Sequence, residues 1–126
     1  MQAEIRESSV LVGKNGWIQR NDARVKLGTI LALQGFLRDA TDLFQQAVDR
    51  DPKEPKTLLK LGQVLAARGA LDRAIQYFRQ AVQIQPEDAE IQESLGRALL
   101  EQGNRNEAVP HLQEAIRILK SSPVSR

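Results

Sequence analysis

Apolar residues recur along this chain at helical spacing, in pairs of blocks that a glycine separates. One pair consists of Leu58, Leu61 and Leu65 before Gly69 and of Ala74, Ile75, Phe78, Ala81 and Val82 after it. Residues three or four positions apart lie on the same side of an α-helix, and a glycine readily adopts the left-handed conformation that ends one. The pattern therefore predicts helical hairpins, an all-α fold and no mixed α/β sheet.

The paired blocks recur along the chain with a constant period of about 34 residues. At this offset five sets of three identical residues coincide, and one set of large apolar residues joins them: Leu27, Leu61 and Leu95; Gly28, Gly62 and Gly96; Gly35, Gly69 and Gly103; Ala40, Ala74 and Ala108; Ala47, Ala81 and Ala115; and Phe44, Phe78 and Leu112. A fixed period of about 20–50 residues is typical of stacked repeats. We therefore predict three hairpins, at 21–54, 55–88 and 89–122, between a non-repeat segment at 1–20 and a frayed tail at 123–126.

The first glycine of each hairpin lies inside a predicted helix, where glycine costs about 1 kcal/mol relative to alanine. Its recurrence therefore needs a structural reason. We expect the two helices of a hairpin to approach closely at this glycine, with an alanine of the second helix facing it and a phenylalanine filling the wider space. The residues concerned are Gly28, Gly62 and Gly96, the alanines Ala40, Ala74 and Ala108, and Phe44 and Phe78.

These motifs resemble the tetratricopeptide repeat family, whose unit has a Trp-x2-Leu-Gly-x2-Tyr block, then Ala-x3-Phe, then Pro. The matching residues are Leu27-Gly28, Leu61-Gly62 and Leu95-Gly96, followed by Ala40 to Phe44 and Ala74 to Phe78, while Ala108 is followed by Leu112. The tryptophan position holds Arg24, Leu58 and Gln92 instead. The resemblance implies a right-handed superhelical array of three helical hairpins.

The resemblance also implies a binding groove. In such arrays the first helix of each hairpin lines a concave face that receives a peptide or helix of another protein. The family pattern places on this face Lys26, Thr29, Lys56, Lys60, Gln63, Glu93 and Arg97, and also Ser94 and Glu101. We therefore expect a protein-protein interaction module, an adaptor or scaffold. The positive charges of its groove favour a partner with acidic residues; they belong to Lys26, Lys56, Lys60 and Arg97. The alternative is that these positions are merely exposed polar residues.

A second hypothesis assigns the chain a structural or assembly role. Its last predicted helix carries the apolar residues Val109, Ile116, Ile118 and Leu119. An exposed apolar patch usually marks an interaction site, so this helix is expected to pair with a second copy as a homodimer, or with a neighbouring domain of a larger protein. Cover by residues 1–20 or by the tail is the other interpretation.

Composition and charge exclude several other functions. The 18 Lys and Arg nearly balance the 16 Asp and Glu, and aromatic residues make up only 4%, so the sequence does not favour nucleic acid as a partner. The longest apolar run in the N-terminal segment is Val10-Leu11-Val12, which indicates no membrane insertion. The absence of cysteine excludes thiolate chemistry and fits a cytoplasmic location without establishing it.

No set of residues suggests catalysis, a metal site or a cofactor. The only histidine, His111, is expected to face solvent on its helix. Carboxylates such as Glu90 and Glu93 share a helix face, but the sequence implies no apolar pocket that would shift the pKa of one of them for acid-base catalysis.

In the segment at 1–20, Asn15-Gly16 between apolar runs indicates a β-hairpin, and a flexible segment is the alternative.

A negative prediction follows from the groove positions. Family members that clamp the C-terminal carboxylates of heat-shock chaperones use two lysines, two asparagines and an arginine, and here those positions hold Val25, Thr29, Lys60, Glu90 and Ser94. We expect no tight binding of such acidic peptides, because Glu90 would repel the carboxylate. A calorimetric titration that gave low-micromolar affinity would overturn this expectation.

Overall fold

The computed structural model describes residues 20–121, and these form six α-helices and no strand. The helices are α1 (Asn21–Leu33), α2 (Leu37–Arg50), α3 (Pro55–Ala67), α4 (Leu71–Ile84), α5 (Ala89–Gln102) and α6 (Arg105–Ser121). Helices α1, α3 and α5 begin one repeat length apart, and so do α2, α4 and α6. The predicted all-α fold of repeated helices is therefore confirmed. The expectations for the N-terminal segment and the C-terminal tail lie outside the described residues.

By compactness the described chain divides into two units, residues 20–52 and residues 53–121. Among the described helices, none combines the length and the apolar composition that a membrane span requires.

The first unit is the hairpin of α1 and α2. Ala40, Phe44 and Ala47 of α2 are buried, and their spacing places them on one side of the helix, against α1. The Asn21 side-chain amide at the start of α1 donates a hydrogen bond to the Ala47 carbonyl near the end of α2, over 2.9 Å. The antiparallel pair is therefore held at its open end as well as at its turn.

The second unit contains α3 to α6. Helix α4 packs against both α3 and α5, α6 packs against α5, and α3 also contacts α5. The largest fully buried side chains of the described chain all belong to this unit: Leu58, Leu61, Leu65, Phe78, Ile91, Leu95 and Leu99. Burial of each such side chain stabilises the fold by about 1.5–3 kcal/mol, so this apolar layer is the main source of stability.

The turns inside the hairpins depend on the second glycine of the repeat. Gly69 has a φ of 88°, and the Ala70 amide after it donates to the Leu65 carbonyl over 2.9 Å, which closes the end of α3. Gly35 and Gly103 have φ values of 90° and 94°, and no other residue type has a positive φ in the described chain. A side chain at these glycines would meet open space, so their backbone conformation alone requires glycine. The predicted helix ends are confirmed.

The first glycine of the repeat makes room for an aromatic ring. A Cβ atom added to Gly62 would lie 2.5 Å from Cε1 of Phe78, and one added to Gly28 would lie 2.7 Å from Cε1 of Phe44. The expected close approach is present, and in these two hairpins the atoms nearest to the added Cβ belong to the phenylalanine ring and not to the facing alanine. Helical side chains lean towards the N-terminus, so the ring covers the turn before its own Cα.

The third hairpin keeps the close approach without a ring. A Cβ at Gly96 would lie 2.6 Å from Cδ2 of Leu112 and 3.3 Å from the carbonyl oxygen of Ala108. Here the backbone of the second helix does come near the glycine, as the sequence suggested, because leucine fills less space than phenylalanine.

We predict that Gly62→Ala destabilises the protein, by about 1–3 kcal/mol, although alanine is the better helix former. The reason is the overlap of the new methyl group with the buried Phe78 ring. Urea denaturation checks this, and the control is the same substitution in a Phe78→Ala background, where it should stabilise. A neutral effect in both backgrounds would show that the ring does not require the glycine.

Candidate functional site

A cleft of about 200 Å³ opens between α3 and α5 in the second unit. Its lining residues are Gln63 and Ala66 of α3, Phe78 of α4, and Ser94, Arg97, Ala98 and Glu101 of α5. The small side chains Ala66 and Ala98 create the space, and the buried Phe78 ring closes it from α4. The cleft therefore combines an apolar floor with polar and charged walls.

Polar contacts join the two helices beside this cleft. The Gln63 side-chain amide donates to the Glu90 carboxylate over 3.2 Å and to the Ser94 hydroxyl over 3.4 Å. Along α5, the Arg97 guanidinium lies 3.7 Å from the Glu93 carboxylate, one helical turn away. Both members of this ion pair are exposed, so it contributes about 0–1 kcal/mol and leaves Arg97 available to a ligand.

The lysines predicted for the groove lie along α3. Lys56 is exposed and Lys60 is half-buried, and neither has a salt-bridge partner among residues 20–121. The structure thus places Gln63 and Arg97 in the cleft wall, Glu93 next to Arg97, and two lysines on the helix that forms the opposite wall. This arrangement presents positive charge on the α3 side, and carboxylates together with the Arg97 guanidinium on the α5 side.

The two remaining predicted groove residues lie on α1, in the first unit. The Thr29 hydroxyl donates to the Val25 carbonyl over 2.7 Å, so its hydrogen is already used within the helix. Lys26 is exposed and lines a second, mainly apolar cleft of about 240 Å³, together with Arg20, Asp22, Ala23, Leu27 and Ile30. A hydrogen bond from the Arg20 guanidinium lowers the pKa of the Asp22 carboxyl.

Three residues of the α3–α5 cleft were not predicted as binding residues. Ala66 and Ala98 form it by their small size, and Phe78 was predicted only as part of the repeat signature. An alanine in a helix carries no sign that a space lies beside it. The one available signal of the cleft was a comparison of equivalent repeat positions. Ala98 of α5 stands where α1 has Ile30 and α3 has Val64.

A polar contact inside the second unit holds α5 in place. Gln92 is buried, its amide nitrogen donates to the Pro86 carbonyl over 2.9 Å, and its Oε1 atom lies 2.8 Å from Nδ1 of His111 on α6. Because this oxygen can only accept, Nδ1 carries the proton and donates it. The expectation that His111 faces solvent is therefore wrong, since the ring is half-buried against α5.

The surroundings of His111 disfavour its charged form. Burial lowers the pKa of His111, the nearby Glu107 carboxylate partly offsets this effect, and the Arg79 guanidinium adds to it. Arg79 of α4 hydrogen-bonds Glu107 of α6, which lowers the pKa of the Glu107 carboxyl. The neutral imidazole that donates to Gln92 is thus the form that the folded protein favours.

The apolar residues predicted for self-association lie at different depths on α6. Val109, Ile116 and Leu119 are exposed, and Ile118 is half-buried. The spacing of the three exposed residues places them along one side of the helix, while Ile118 points to another side.

Within residues 20–121, no three His, Asp or Glu side chains are grouped so that they could hold a metal ion.

Comparison with known proteins identifies similar chains. Tetratricopeptide repeat models match residues 25–89 and 65–123. A crystal structure of MamA is similar, with a TM-score of 0.76 and 25% sequence identity over 82% of this chain and 60% of the MamA chain. The chain thus spans less than two thirds of MamA.

A second similar structure is the Yersinia enterocolitica type III secretion translocator chaperone SycD, crystallised as an alternative dimer. Its TM-score is 0.77, with 22% identity over 82% of this chain and 79% of the SycD chain. No curated protein sequence matches the chain.

We predict that the free energy of unfolding decreases as the pH falls from about 7.5 to 5.5. Unfolded histidine titrates near pH 6.5, and His111 titrates lower when folded, so its stabilising effect is complete above about pH 6.5 and is lost below it. Denaturation at several pH values measures this. His111→Gln is the control, and an equal decrease in this variant would assign the pH dependence to other groups.

Proposed function

The chain belongs to the tetratricopeptide repeat family, and we propose that it acts as a protein-protein interaction module that binds a segment of a partner protein in the α3–α5 cleft. It is a binding protein in this proposal and not an enzyme, which agrees with the usual role of such repeats. The observation that carries the proposal is the cleft itself, which lies on the helices that line the binding face of such arrays.

The size of the cleft favours a side chain over a free small molecule. Pockets for drug-sized ligands have volumes of about 300–1,000 Å³, and this one measures about 200 Å³. Ala66, Ala98 and the Phe78 ring supply an apolar floor, so the group that fits is an aliphatic side chain of the partner. The main chain of such a segment would remain outside, within reach of the polar walls.

The charges around the cleft give the bound segment a direction. Lys56 and Lys60 are free of salt bridges in the described chain and attract an acidic residue to the α3 side. On the α5 side Glu90, Glu93 and Glu101 outnumber Arg97, so they repel acidic residues there and a neutral or basic residue fits better. The partner segment therefore carries an aliphatic residue with Asp or Glu on one flank only.

A second candidate function is self-association through α6. The observation that favours it is the exposure of Val109, Ile116 and Leu119 along one side of that helix. Exposed apolar side chains that form a continuous stripe are typical of interaction sites. The dimer in the SycD structure supports the same interpretation, since SycD has a similar fold.

We predict that a displayed library of random peptides, selected on the folded protein, yields sequences with one aliphatic residue and an acidic residue on one side of it. Ala66→Leu should weaken the selected peptide by about tenfold or more, because the added side chain fills the cleft. Lys60→Glu should weaken it and reduce the salt dependence of its affinity. Fluorescence anisotropy measures both effects.

Gln76→Leu is the matched control, because it adds a leucine at an exposed position of α4 away from the cleft. Its affinity should equal that of the wild type. Selected peptides that bind Ala66→Leu and Lys60→Glu as tightly as the wild type would contradict the proposal, and so would a selection that enriches no peptide.

A further inference from the structure

Helix α5 covers one side of α4 within the second unit. Ile75 and Phe78 of α4 and Leu95 and Ala98 of α5 are all buried. Phe78 and Ala98 also line the same cleft, which places both at the contact between these helices. The second unit therefore contains a complete example of a second helix of a repeat covered by the first helix of the next repeat.

Among residues 20–121, no helix covers the corresponding side of α6. Val109 stands one repeat length after Ile75, and Ile116 stands one repeat length after Val82. Ile75 is 4% exposed, whereas Val109 is 39% and Ile116 is 53% exposed. Val109 thus corresponds by repeat position to a buried residue of α4, and Ile116 corresponds to the half-buried Val82.

Helix α1 presents the other half of the same contact. Leu27 and Ile30 of α1 occupy the repeat positions of Leu95 and Ala98 in α5. Ile30 is 51% exposed, whereas Ala98 is 3% exposed. Both α1 residues line the mainly apolar cleft of about 240 Å³ on that helix, together with Ala23. Within residues 20–121, this surface of α1 is therefore open to a helix.

We propose that α1 of one copy of the protein packs on α6 of a second copy, in the way that α5 packs on α4 within one chain. This inference rests on the self-association proposed above and adds which two surfaces meet. A second copy is the occupant because each chain carries both halves of a contact that it already forms once internally. The two surfaces differ, so each pair keeps one α1 and one α6 open, and further copies add head to tail.

Two substitutions to glutamate test the α1 surface and the α6 surface independently. Ile30→Glu blocks the α1 surface and leaves α6 intact, and Ile116→Glu does the reverse. Both residues are exposed, so the fold should be retained, which circular dichroism and thermal denaturation check. Ile84→Glu is the matched control, since Ile84 is an exposed apolar residue at the end of α4 that belongs to neither surface.

Sedimentation velocity over a concentration series gives the result. The wild type and Ile84→Glu should grow beyond the 14.1 kDa chain with no limit at a dimer. Ile30→Glu and Ile116→Glu should each stay monomeric. An equimolar mixture of these two variants should form a dimer with one copy of each, because the mixture restores one intact α6 and one intact α1.

Other results would refute the inference in distinguishable ways. A wild type that is monomeric at every concentration refutes self-association itself. If Ile30→Glu assembles but Ile116→Glu does not, α6 pairs with α6, and the head-to-tail contact is refuted while self-association stands. Assembly of both variants like the wild type, or a mixture that stays monomeric although the wild type assembles, also refutes the contact between α1 and α6.

Discussion

The contact between an interior glycine and an aromatic ring determines how closely the helices of a hairpin pack. In the second unit the Phe78 ring lies over Gly62 of α3, and the same ring closes the cleft between α3 and α5. One side chain therefore sets the spacing of the scaffold and the floor of the candidate site. The shape of the cleft depends on the packing of the hairpin and cannot vary independently of it.

The second constraint is polar and involves the repeat position that holds tryptophan in the family pattern. Leu58 and Gln92 occupy this position in the second unit and are both buried, but of these two only Gln92 must satisfy hydrogen-bonding groups. It does so through Pro86 and His111, so α5 is tied to the preceding loop and to α6. The third hairpin thus replaces part of its apolar packing with directed contacts.

The helices and their ends were predictable because they depend on local patterns, namely apolar spacing and a glycine at each turn. The neighbour of Gly62 was not, because the direction in which the Phe78 ring leans is a property of packed helices. The cleft beside Ala66 was not predicted either, since an alanine in a helix carries no sign of the space beside it and the sequence offered only the exchange of Ile30 and Val64 for Ala98 as a signal. The burial of His111 arises from contact between two helices and is likewise absent from local patterns.

The turn glycines have a consequence for how this protein can be altered. Nothing lies within 4 Å of the Cβ position at Gly35, Gly69 or Gly103, so the outer side of each turn faces open space. Exposed turns of this kind tolerate added residues better than packed segments do. These three turns are therefore suitable sites for inserting a recognition sequence, a fluorescent label or an entire domain, because the helices on either side keep their packing.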